Sequence, residues 1–135
     1  MLRVRSLILG SIIIVLGTFN PIGAHGADWK FLRTDVQGEF FYDLGNITRP
    51  ARNTVGVWLK IVYSEKYKKE EDLDHLSQTV GLWEIDCQDK KMCLLSTSHY
   101  SENGEISAPQ IWLPPEWKSI TPNTVMDALY KELCK

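Results

Sequence analysis

From residue 54 the chain alternates: Val55, Val57, Leu59, Ile61 and Tyr63 fall on one side of an extended backbone, and Gly56, Trp58, Lys60 and Val62 on the other. This predicts a long strand. A second alternation places Trp83, Ile85 and Cys87 on one side and Leu82, Glu84 and Asp86 on the other. The polar run at 88–91 interrupts it, and the apolar run that begins at Met92 can fold back alongside, as in a β-hairpin. Upstream, residues 28–33 and 39–43 read as two aromatic-rich strands with a turn at Val36, Gln37 and Gly38 between them. Residues 46–50 read as a connection. Residues 64–78 are charged and weakly helical, with Leu73 and Leu76 as their aliphatic anchors, and read as an excursion with one or two helical turns.

Asn103-Gly104 signals a tight turn, and a further strand is expected near 105–112, where Pro109 confines part of it to an edge. Pro114, Pro115 and Trp117 begin a wrapping segment. A helix is then expected with Thr121 as its cap and Pro122 in the first turn, where a missing N–H does no harm. Val125, Met126, Leu129, Tyr130, Leu133 and Cys134 form its apolar stripe, and Asp127, Lys131 and Glu132 lie away from that stripe. A helix of about 13 residues is marginal alone in water, so it has to dock. The fold class expected is α+β: a single antiparallel β-sheet of about six strands with a C-terminal helix packed on one face and tethered by a disulfide.

The leader changes how the cysteines are read. Arg3 and Arg5 precede an apolar run at 7–19, and Ala24-His25-Gly26 supplies small residues for cleavage, so residues 1–26 are expected to be a cleaved signal peptide and 27–135 the mature domain. The apolar run is shorter than the roughly 20 residues a spanning helix needs. The protein is therefore expected to be exported to the periplasm, the outer-envelope surface or the medium. The leader has no cysteine to lipidate, and no transmembrane segment is expected after cleavage. In an oxidising compartment three cysteines suggest one pair and one left over. The pattern favours Cys87 with Cys134, which would fasten the helix to the hairpin; a hairpin turn one residue longer would bring Cys93 to that face instead.

Removing 26 residues from 135 leaves one modest domain of 109. Without the two leader arginines, 13 basic residues face 17 acidic ones, a net charge of −4 that argues against nucleic acid. Lys66, Lys68 and Lys69 are interleaved with Glu65, Glu70, Glu71 and Asp72, as on a solvated loop. No metal-ligand spacing and no glycine-rich phosphate loop occurs, so neither metal nor cofactor is expected. Cys93 could act as a nucleophile only with a base in reach. His99 is six residues away, about 20 Å along a strand, and His75 sits in the charged excursion. Glu84 and Asp86 share a face but read as solvent-facing strand residues. No enzyme activity is expected.

Several segments together resemble the surface-adhesin protein E family of small exported bacterial proteins. They are Trp29 just after the leader; Phe41-Tyr42-Asp43; Val55, Val57, Trp58 and Lys60; the stretch from Glu84 to Ser96 with its Asp-Cys pair and basic turn; Tyr100 before Asn-Gly; Trp112 or Trp117; and Leu129, Tyr130 and Cys134 at the end. The resemblance implies a six-stranded antiparallel sheet with the terminal helix held by a Cys87–Cys134 bond. It also implies an adhesin-like, surface-associated binding role, compatible with a homodimer. Lipidated members carry a leader cysteine that this chain lacks.

One helix can cover one face only. Trp58, Val62 and Leu82 have the parity opposite to the residues expected beneath the helix, and make a candidate face for a protein partner or for self-association, unless the excursion at 64–78 or the segment at 114–117 covers them. The function expected is an exported, non-enzymatic, adhesin-like binding module. The competing reading is a structural or accessory periplasmic protein without an external ligand.

Overall fold

A computed structural model describes residues 26–106 and 108–135; the expected leader, save its last residue, lies outside them. The chain forms β1 (Trp29–Thr34), β2 (Gly38–Asp43), β3 (Thr48–Ala51), β4 (Thr54–Tyr63), α1 (Glu65–Glu70), β5 (Gln78–Asp86), β6 (Lys91–Ser101), the two-residue strands β7 (Gly104–Glu105), β8 (Gln110–Ile111) and β9 (Lys118–Ser119), and α2 (Val125–Leu133). All pair antiparallel in one sheet. Its main path, β1-β2-β4-β5-β6-β7, has the six strands expected, with β3 added beside β4 and β8 and β9 beside β6.

The departures from expectation have local causes. Residues 48–51 are a strand, not a connection, but every side chain there is exposed, so no alternation announces it; Pro50 is tolerated because the strand is short and peripheral. The strand expected over 105–112 is split into β7 and β8 on either side of Pro109. The turn before β7 is made by Glu102 and Asn103, and Gly104, at φ 129°, takes the backbone position that other residues avoid. Gly38 does the same at φ 153°, and a Cβ there would strike the Val62 carbonyl.

α2 lies over the centre of the sheet. Met126 and Leu129 pack with Phe40 and Tyr42 of β2, Val57, Leu59 and Ile61 of β4, and Ile85 of β5. The helix begins three residues later than expected: Thr124, not Thr121, is the cap, its Oγ1 accepting from the Asp127 N–H at 3.2 Å and donating to the Thr121 carbonyl at 2.7 Å. Asp127 was expected to point away from the core stripe, yet it is only 2 % exposed. The reason is the hairpin loop. Lys90, in the left-handed region at φ 53°, brings its Nζ to 3.1 Å from Asp127 Oδ1, an ion pair without hydrogen-bond alignment. Lys131 Nζ lies 3.3 Å from Oδ2, which also accepts from the Asn123 N–H at 2.9 Å.

The other end of α2 is covalent. Cys134 is joined to Cys87, 47 residues earlier, with Cα atoms 5.5 Å apart. Closing such a loop in the unfolded chain stabilises the fold by roughly 4 kcal/mol in the loop-entropy account. Tyr130 adds a bond from its hydroxyl to the Cys87 carbonyl at 3.4 Å. The hairpin register settles the role of the third cysteine: Ile85 pairs with Met92 and Glu84 with Cys93, so Met92 shares the face of Ile85 while Cys93 points to the reverse, buried and unpaired.

Candidate functional site

The face of the sheet turned away from α2 is apolar at its centre. Along β4, Trp58 pairs with Leu82, Lys60 with Val80 and Val62 with Gln78. The three residues expected there, Trp58, Val62 and Leu82, are thus brought together on one face, half-buried. The register extends the patch across β2 and β1, because Lys60 pairs with Phe41 and Phe41 with Phe31. The Phe31 and Phe41 rings meet edge to face at 5.7 Å, and Phe31 remains 52 % exposed. Lys60 lies among them, its Nζ 4.4 Å from the Trp29 ring centroid and 5.2 Å from that of Phe41. Burial pushes the Lys60 amine below its ordinary value.

Among the described residues, the ring contact of α1 and the hydrogen bond of the segment at 112–117 run to the helix side of the sheet. Tyr67 of α1 stacks on Tyr63, 5.9 Å between centroids, and Tyr63 belongs with the core side of β4. The strap at 112–117, between β8 and β9, also takes the helix side. Trp112 Nε1 donates to Thr97 Oγ1 at 3.4 Å, and Thr97 pairs with Gly81, whose neighbours on that face are Trp83 and Leu94. α1, α2 and the strap therefore crowd one side. The strap is itself rich in exposed apolar groups: Trp112 and Trp117 are each 42 % exposed and Leu113 is 75 % exposed. Beneath it, against Trp83, Met92 and Leu94, lies a cavity of about 400 Å³.

Lys60 falls on the side that the alternation of β4 gives it, with Trp58 and Val62, whereas Trp29, Phe31 and Phe41 join the face through strand pairing and were not anticipated there. Their alternation was visible, but the register shift between Phe31 and Arg33 hides from the sequence which side of β1 joins which side of β2.

The groups considered for catalysis are separated or engaged. Cys93 faces the side of Glu84, and burial followed by the Glu84 charge pushes its thiol up, away from the thiolate. His99 faces the opposite side, with Nδ1 2.8 Å from Thr79 Oγ1, which in turn meets the Tyr63 hydroxyl at 2.9 Å. His75 is exposed in the loop after α1. Asp86 Oδ1 accepts from the N–H groups of Gln88 and Asp89, so that carboxylate organises the hairpin loop. Asp43 is likewise buried and structural, accepting from the Asp28 and Gly45 N–H groups and from Asn46 Nδ2. Among the described residues no three metal-ligating side chains gather, and no helix is long and apolar enough to cross a membrane.

A family model described as surface-adhesin protein E matches residues 29–135. Among curated proteins none matches. Among solved structures, Haemophilus influenzae protein E is similar at 14 % identity with a TM-score of 0.52, covering 81 % of this chain and 88 % of that one. A second crystal form of the same protein gives 12 % identity, a TM-score of 0.52 and coverages of 81 % and 91 %. At such identities the likeness is one of fold.

Proposed function

This chain belongs to the surface-adhesin protein E family, and from that premise we propose that it is an exported, non-enzymatic, adhesin-like binding module of the bacterial envelope or surface. The observation that supports this reading most is the helix-free face, where Trp58, Val62 and Leu82 are flanked by Phe31 and Phe41. A patch with aromatic residues on β1, β2 and β4 and a partly desolvated Lys60 at its centre, edged by Glu39, Gln78 and Glu84, has the make-up of an association surface with a polar rim. It is assigned to a protein partner or to a second copy of the chain. Residues 1–26 are assigned as a signal peptide cleaved after Gly26.

The test is direct. Sedimentation of the mature domain beside its Trp58→Ala variant reads self-pairing, and a pull-down with the same two proteins reads partner capture. A monomer in both samples together with identical captured material would remove the face from the reading. Protease treatment of intact cells locates the domain: cleavage from outside is the expected result, and protection until the outer envelope is opened would favour an accessory periplasmic role.

A further inference from the structure

The cavity under the strap lies on the other side of the sheet from the proposed association face, and it has the makings of a small-molecule site. Trp83, Met92 and Leu94 form its sheet wall; Trp112, Leu113 and Pro114 form the strap wall. Gly81 lies behind two residues of the sheet wall. A Cβ at that position would lie 3.1 Å from Trp83 Nε1 and 3.3 Å from Leu94 Cδ1, so a side chain there would have to displace these two wall residues. At about 400 Å³ the space falls among ligand pockets and is far larger than the gaps left by ordinary packing. Six apolar side chains make most of its wall, and the water against them finds few hydrogen-bond partners for an apolar ligand to replace.

The charges at the cavity decide what can enter. Glu116 and Lys118 are its two charged residues, and they lie 3.9 Å apart as an ion pair, both largely exposed. Being of opposite sign and already paired, they favour neither an anionic nor a cationic ligand. A charged ligand would lose hydration inside without gaining a partner. Two indoles and a thioether, by contrast, offer polarisable surface that favours aromatic rings. We propose that the cavity between the 112–117 strap and the β5–β6 edge binds a small neutral aromatic molecule. The site is separate from the Trp58 face and does not depend on the adhesive reading.

The experiment uses N-phenyl-1-naphthylamine, a neutral aromatic dye that brightens in apolar surroundings, added to the purified protein. Expected are a saturable one-to-one enhancement, competition by indole, and at least tenfold weaker binding in both Trp112→Ala and Leu113→Lys, with Trp58→Ala unchanged. Circular dichroism of each variant shows whether the fold is retained, and Leu113, being mostly exposed, is the safer of the two strap substitutions. No saturation, or binding that survives both strap substitutions, or binding that is lost in Trp58→Ala, would overturn the proposal. Equal affinity for the anionic dye 8-anilinonaphthalene-1-sulfonate would overturn the neutral class of ligand.

Discussion

The two faces of this sheet are made by the same strands, residue by alternate residue, and they differ in what lies over them. On one side Val57, Ile85 and Leu129 are wholly buried, and α2 is fixed by a disulfide at one end and by the Asp127 ion pairs at the other. On the reverse, Trp58, Val62 and Leu82 stay half-buried, on the face opposite to the one that Met126 and Leu129 of α2 cover. The side chains are similar in kind. The difference teaches that apolar alternation builds a sheet, but a covering element has to be attached before the same chemistry becomes a core. Where none is attached, the residues remain available for contacts outside the domain.

The contrast can be broken most severely at the covalent tether. Replacing both Cys87 and Cys134 by Ala should lower the unfolding free energy by roughly 4 kcal/mol, read from the urea midpoint; a loss below about 1 kcal/mol would mean that packing alone holds α2. Next comes the core beneath the helix, where Leu129 is 0 % exposed. Leu129→Ala should cost about 3 kcal/mol and Leu82→Ala on the bare face about 1 kcal/mol or less, and equal costs would show that the two faces are not different. Thr124→Ala should remove roughly 1 kcal/mol through loss of the cap.

A gentler probe is acid. The Asn123 N–H, with Lys90 and Lys131, holds the Asp127 carboxyl at about 2 against an ordinary 3.8, while burial pulls the other way. The native state then binds fewer protons than the unfolded chain, so the stabilisation is complete above pH 3.8 and disappears as the pH falls through about 2. Asp127→Asn should flatten the stability profile in that window, and an unchanged slope would assign acid sensitivity to other carboxylates. The smallest effect on stability is expected from Trp58→Ala, within about 1 kcal/mol, accompanied by loss of association in sedimentation or pull-down. A substitution that destabilised the domain as much as Leu129→Ala would show the bare face to be core.

Alternation and thiol spacing determined much of this protein. The parity of β4 and β5, the hairpin, the amphipathic stripe of α2 and the placement of Trp58, Val62 and Leu82 opposite it all follow from periods of two and 3.6. Those periods are local, set by backbone geometry that each segment carries with it. Tertiary structure alone decided what depends on distant neighbours. Asp127 reads as a surface residue until the hairpin loop delivers Lys90 to it. The β1 register shift recruits Phe31 to the bare face. The strap could have crossed either side of the sheet, and only its contacts with Thr97 and the Trp83 side commit it to the helix side. Period fixes which residues share a face; closure of long loops fixes what, if anything, covers that face.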